Sequence, residues 1–264
     1  MTIIPSVSPP LPTKNRWARR LTSADPFTWL KLGYRDFVTQ PAMSVVYGLL
    51  IFLVSIALVG TLVASGRDYI LFPAFAGFMV VGPILAVGLY EKSRHIEEGL
   101  PLRWADIFFV RPRSGGQILF TGVLLCLLMM VWMRAAVIIY ALFFGLVPFP
   151  GLNHITKMLF NTDVGWAMLA VGTAVGGLFA AFSFAISAFS IPILVNEPVD
   201  ALTAMGSSMA LVWNNLRVLL IWALIVLVLF LVSLATGMLG LIVIYPLLGH
   251  ATWHAYRAVR PEAG

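Results

Sequence analysis

The chain contains 264 residues, of which 60% are hydrophobic and 11% are charged, and its mean hydropathy is +0.95. Soluble domains carry about 25% charged residues, so this composition excludes a water-soluble protein, whose core could not enclose so much apolar surface. The net charge of +6 does not indicate nucleic-acid binding, because the basic residues adjoin long apolar runs instead of clustering with aromatic residues in a soluble domain.

The N-terminal region precedes any long apolar run. Residues 1–22 are rich in proline and basic side chains, which predicts a flexible basic tail, and no cleavable signal peptide is recognisable. An amphipathic surface helix is predicted next, because Asp25 and Pro26 are typical of a helix start. Its polar stripe includes Asp36, and the opposite apolar stripe has helical spacing. That apolar stripe consists of Phe27, Leu30, Tyr34 and Phe37.

Six apolar runs follow, each long enough to cross a bilayer. A hydrocarbon core of about 30 Å needs roughly 20 helical residues, whose backbone groups must bond within the segment. The runs cover residues 43–65, 70–90, 117–146, 165–195, 218–236 and 238–256. The sequence therefore predicts an all-α fold, a polytopic membrane helix bundle with six transmembrane helices in three hairpins and short cytoplasmic amphipathic helices.

Basic residues occupy alternate connections between these runs. Fourteen of the 17 Lys and Arg residues lie before the first run, after the second, after the fourth or in the C-terminal tail. The opposite connections hold only Arg67 and Lys157. By the positive-inside rule, this asymmetry predicts a multi-pass protein of the bacterial inner membrane with both termini in the cytoplasm.

An internal repeat organises the membrane domain, which is predicted as one unit over residues 23–258 and is followed by a tail at 259–264. In each repeat, a surface helix precedes one span and then a second span with proline in its cytoplasmic half. The prolines are Pro83, Pro192 and Pro246. The three hairpin units are residues 23–95, 100–196 and 198–257. Anchoring residues common to all membrane helices are the alternative explanation of the repeat.

Arg134 is the one charged residue inside an apolar run. A guanidinium at bilayer depth is costly and marks a candidate functional site by default. The run around it is longer than a span requires, so the structural alternative is that Arg134 extends its charge to the outer membrane interface. No acidic residue lies in the six runs to pair with it.

His250 and His254 lie four residues apart near the end of the last run, on one predicted helix face. Such a pair can ligate a haem iron, and this is the only cofactor-binding site that the sequence suggests. Structural or interfacial use of the two histidines is the favoured alternative, since no carboxylate accompanies them within the run. The sequence therefore predicts no metal site and no cofactor.

Gly172 and Gly176 belong to a small-residue face of the fourth run. Small residues allow close approach of membrane helices, so packing within the bundle is the ordinary interpretation. A groove for a partner helix or a lipid is the alternative.

Motifs of catalysis are absent from the sequence. It contains no phosphate-binding loop, no nucleophile elbow, no His-Glu-x-x-His and no pair of intramembrane carboxylates. No catalytic residues are therefore predicted, and the protein is not expected to be an enzyme or an ion-driven pump.

Several stretches resemble a family of uncharacterised bacterial predicted integral membrane proteins. They are GYRDFVTQPAMSVVYGLL, FPAFAGFMVVGPILAVGLYEKSRHIEEG, ISAFSIPILV, VDALTAMGSS and YPLLGHATWHAYR. The resemblance covers roughly residues 30 to 258. It implies a membrane-protein architecture but no particular biochemical activity. Some members are labelled as cytochrome c oxidase subunits, but the four histidines of this chain are too few and too scattered for an oxidase core.

Three functional hypotheses follow. The preferred one is a non-catalytic accessory or assembly subunit that packs against a larger membrane complex, with a respiratory or other electron-transfer complex as the first partner to consider. The second is a small transporter or channel that accepts an anionic solute through Arg134. The third is haem binding through His250 and His254.

Overall fold

A computed structural model describes residues 15–110, 112–145 and 152–260 of the protein. Within these residues it contains helices and no strands, which confirms the predicted all-α class. Most of the predicted N-terminal tail (1–22) and C-terminal tail (259–264) lies outside the described residues. The same is true of residue 146, the predicted end of the third apolar run.

The described residues form twelve α-helices and a short 3-10 turn at Asp68–Ile70. In chain order the helices are α1 (Asp25–Val38), α2 (Pro41–Ala64), α3 (Leu71–Leu85), α4 (Val87–Glu97), α5 (Trp104–Phe108), α6 (Gly115–Phe144), α7 (Leu152–Phe160), α8 (Asp163–Ser187), α9 (Ser190–Asn196), α10 (Ala201–Asn214), α11 (Leu216–Ala235) and α12 (Leu241–Val259).

Five helical segments in the described part of the chain are long and apolar enough to cross a membrane. They are Pro41–Ala64, Leu71–Glu97, Gly115–Phe144, Asp163–Asn196 and Leu216–Ala235. The predicted count of six is not confirmed, because α12 is not among them. Helix α12 lies at the centre of the bundle, packed against α1, α2 and α4. A helix enclosed by protein can carry polar side chains that a lipid-facing helix cannot.

Glycines in α1 and α2 permit this close packing on α12. A Cβ atom added at Gly33 would lie 2.6 Å from the backbone nitrogen of Ala251, and one at Gly48 would overlap the carbonyl oxygen of Ile242. Pro246 has no N–H to bond that carbonyl within the helix. The backbone of α2 therefore approaches α12 where the internal hydrogen bonding of α12 is interrupted.

The predicted prolines have different local effects. Pro83 lies inside α3, and the helix breaks three residues later at Ala86 before continuing as α4. A second break separates α8 from α9 just before Pro192. Helix α12 runs through Pro246 without a break. The three prolines are therefore not associated with one common backbone geometry.

The predicted faces of α1 are partly wrong. Asp36, which was placed on the polar face, is fully buried, and so is Trp29, which packs edge-on against Trp222 at 5.8 Å between ring centroids. Phe27 and Tyr34 of the predicted apolar stripe lie on the outer surface of the bundle, which is compatible with a helix at the membrane surface. The face of α1 that meets α12 is the one that carries Gly33, because this small residue allows the two helices to approach closely. The hydrophobic pattern of α1 alone does not reveal which face this is.

Candidate functional site

A cluster of polar side chains is buried where α1, α2, α4 and α12 meet. Four helices contribute to it, so it forms only when the first and last parts of the chain pack together. We call it the buried polar cluster. Its members are Asp36, Ser44, Lys92, Ser93, His250 and His254.

His250 lies at the centre of the cluster with no exposed surface. Its Nε2 is 2.9 Å from Oγ of Ser44, and its Nδ1 is 2.8 Å from Oγ of Ser93. Both ring nitrogens are therefore engaged by serine hydroxyls from different helices. In this arrangement neither nitrogen is available to a haem iron, so the geometry does not favour the haem hypothesis.

Lys92 is 1% exposed and extends into the same cluster. Its Nζ donates to Oγ of Ser44 at 2.7 Å and to the backbone carbonyl of Gln40 at 3.3 Å. Because the ammonium group can only donate, the Ser44 hydroxyl keeps its hydrogen for Nε2 of His250. In this tautomer, the Nδ1–H of His250 donates to Ser93.

Asp36 closes the other side of the cluster. Its Oδ2 lies 2.8 Å from Nε2 of His254, while its buried Oδ1 has no hydrogen-bond partner among the described residues. Burial acts to raise the pKa of Asp36, but the interaction with His254 outweighs it, so the pKa lies below its ordinary value. Asp36 therefore stays ionised at neutral pH.

The cluster thus contains a buried cationic group and a buried carboxylate, which are hydrogen-bonded separately: Lys92 is linked through Ser44 to His250 and Ser93, whereas Asp36 is bonded to His254. It also attaches α1 to the bundle, since Asp36 is its only member from α1. No set of three or more metal-ligating side chains occurs among the described residues.

The other predicted site residues lie elsewhere. Arg134 is exposed on α6 and has no ion pair with a described residue. Gly176 lies against the ring of Trp132, whose Cη2 would be 3.0 Å from an added Cβ. Gly172 has no atom within 4 Å of such a position, so it faces open space and not a neighbouring helix.

Comparison with known proteins identifies one family. Residues 71–196 match the model of the family described as "Predicted integral membrane protein (DUF2189)". The match covers slightly less than half of the chain, so it shows what this region is similar to. The predicted resemblance is thereby confirmed, whereas its oxidase label is not. No curated protein and no solved structure matches the chain.

The part of the chain that matches the family model begins with α3 and ends with α9. It supplies Lys92 and Ser93 to the buried polar cluster. The other four members come from α1, α2 and α12, outside the matched region. The family match therefore covers the second hairpin completely and the cluster only in part.

This cluster was not predicted from the sequence, for identifiable reasons. Lys92 follows an apolar run and was interpreted as a basic marker of membrane orientation, and Asp36 was interpreted as part of a solvated helix face. The signal that was available is a histidine pair within an apolar run together with Lys92 and Ser93 directly after another run. Only the packing of α12 between α2 and α4 brings these residues together.

Proposed function

We propose that the protein is a non-catalytic accessory or assembly subunit that docks against a larger membrane complex. The position of Arg134 is the main observation that supports this proposal. It lies on the exposed side of α6, without an ion pair or hydrogen bond to any described residue, beside the strongly exposed apolar side chains of Met130, Val131 and Ile138. A cation in such surroundings needs a partner from outside the bundle.

The second hairpin is the part of the bundle best suited to docking. Only 11% of the most apolar stretch of α6 is buried within the bundle. Leu142 of α6 and Leu178 of α8 are each about three-quarters exposed. The 19 residue steps from Gly115 to Arg134 span about 28 Å of helix, close to the thickness of the hydrocarbon core. Arg134 is therefore expected near the outer membrane interface, within reach of a partner carboxylate or a lipid phosphate.

The membrane orientation is part of the proposal. Polar connections that carry most of the basic residues contact one another at one end of the bundle. Arg19 donates to the carbonyl of Arg260 at 2.7 Å, and Ser114 donates to the carbonyl of Glu197 at 2.9 Å. Residues 15–22, predicted as part of a flexible tail, are thus held against this layer. These contacts support an even number of membrane crossings, with both ends at the cytoplasmic face of a bacterial inner membrane.

The partner proposed first is a respiratory or other electron-transfer complex. The test is purification of the natively expressed protein in mild detergent, followed by measurement of complex size and stoichiometry. We expect a stoichiometric larger complex with the natural sequence and its loss in Arg134→Leu.

Arg67→Leu is the matched control, because Arg67 lies in an outer connection between two spans and not on the exposed face of α6. A monomer with the natural sequence would contradict the proposal. An unchanged complex in Arg134→Leu would assign Arg134 to lipid phosphate instead, and docking would have to use another surface.

A further inference from the structure

A cavity of about 330 Å³ lies between α3, α8, α11 and α12, separate from both the buried polar cluster and the exposed face of α6. Pro83 and Ala188, next to the two helix breaks, contribute to its wall. A cavity of roughly 150 Å³ lined by apolar side chains binds benzene. This cavity therefore has room for a substituted ring with part of a chain.

The lining determines what kind of molecule the cavity suits. Every side chain that lines it is uncharged, so an ionised ligand would lose its hydration without compensation. Aromatic rings are prominent in the wall and offer stacking or edge contacts to a planar group. They are Phe78, Tyr90, Phe184, Trp222, Phe230 and Tyr245.

Among the hydroxyls in the wall, one has an oxygen atom that is fully buried and also lacks a hydrogen-bond partner among the described residues. Tyr245 donates to the carbonyl of Gly82, and Thr252 donates to the carbonyl of its own helix four residues earlier. Ser183 is 3% exposed, and its Oγ makes no hydrogen bond to any described residue. A buried hydroxyl without a partner is unusual, and Ser183 is therefore the position for a polar atom of the ligand.

The cavity opens toward the lipid between α8 and α11. These two helices pack against other elements far more than against each other. Ala180 of α8 and Leu227 of α11 both line the cavity and are exposed on the outer surface of the bundle. A hydrophobic molecule can therefore enter from the bilayer and leave its tail between the two helices.

We propose that this cavity binds a neutral lipid with a ring-shaped, oxygen-bearing head and an apolar tail, of the isoprenoid quinone type. The head lies among the aromatic side chains, and a head oxygen accepts a hydrogen bond from Ser183. The tail leaves past Ala180 and Leu227. This site goes beyond the proposed docking role and does not depend on Arg134.

The test is equilibrium binding of decylubiquinone to the purified full chain in phosphatidylcholine nanodiscs, with the bound quinone quantified. We expect saturable binding of one molecule per protein. Ala180→Trp should abolish binding by filling the mouth, and Leu227→Trp provides a second block if the first variant does not fold. Ser183→Ala should weaken binding about fivefold, the effect of one hydrogen bond.

Ala181→Trp is the matched control, because Ala181 is exposed on α8 and does not line the cavity. Its affinity should equal that of the natural protein. Non-saturable binding, or full binding by both mouth variants, would overturn the site. Unchanged affinity in Ser183→Ala, or equal binding of decane, would overturn the assignment of the head group. Loss of partner docking in Arg134→Leu leaves all these results unaffected, so the two proposals fail separately.

Discussion

Replacing Asp36 by asparagine tests whether the buried polar cluster holds α1 on the bundle. The Asp36 side chain is 1% exposed and lies 2.8 Å from His254. Removing one partner of a buried ion pair typically costs about 3–5 kcal/mol, and a hydrogen bond to a single charged group contributes about 1.5–3 kcal/mol. Asparagine keeps an amide oxygen that can still accept a hydrogen bond from His254, so we expect a loss near the lower end, about 3 kcal/mol in the free energy of unfolding.

This loss should appear as a lower midpoint of thermal unfolding. Chains of this size shift by about 2–4 °C per kcal/mol, which predicts a decrease of roughly 6–12 °C for Asp36→Asn. Tryptophan fluorescence of the detergent-purified protein is a suitable signal, because Trp29 of α1 packs against Trp222 of α11. Asp163→Asn, at an exposed position on α8, should shift the midpoint by no more than about 3 °C.

The same comparison has a predicted pH dependence. Because the pKa of Asp36 is below its ordinary value of 3.8 in the folded protein, the stabilisation is complete above that value and is lost as the pH falls through the folded pKa. The part of the difference between the natural protein and Asp36→Asn that comes from the ionised carboxylate should therefore be lost as the pH falls below about 4. A midpoint shift equal to that of Asp163→Asn, or a difference that grows as the pH falls below about 4, would refute the reasoning.

Three further predictions concern the same bundle. Gly48→Ala should lower the thermal midpoint strongly, because the added methyl group meets the Ile242 carbonyl, whereas Gly60→Ala, with nothing within 4 Å, should leave it unchanged or slightly raised. Lys92→Met should cost about 2–3 kcal/mol, and a double-mutant cycle with Asp36→Asn should show that the two losses are not additive. Protein purified from haem-replete cells should show no Soret absorption, because both ring nitrogens of His250 are engaged, and a stoichiometric Soret band would contradict this assignment.

The spans were predictable because long apolar runs depend on composition and not on tertiary packing. The first run was predicted at 43–65 and the helix covers Pro41–Ala64, while the third was predicted at 117–146 and the helix covers Gly115–Phe144. Backbone hydrogen bonding within each segment fixes such helices locally. The predicted resemblance to a family of integral membrane proteins is also confirmed over residues 71–196.

The buried polar cluster was not predictable in the same way. Asp36 shares a helix with exposed basic residues, and its burial depends on Gly33 approaching Ala251, more than 200 residues away in sequence. Lys92 follows directly after an apolar run, where basic residues usually mark a membrane interface. Both assignments require the packing of α12 between helices from the first unit, which local spacing does not encode.

The even number of crossings is the central claim, and the most direct measurement of it is site-specific labelling with a membrane-impermeant thiol reagent in intact cells. The only natural cysteine, Cys126, is exposed on α6, so single cysteines are placed in a Cys126→Ala background. Cysteines near Arg19, Gly99, Asn214 and Arg260 should all be protected until the cells are opened, whereas one at Lys157 should react at once. Immediate labelling of only one chain end would contradict the account, because it would place the two ends on opposite sides of the membrane.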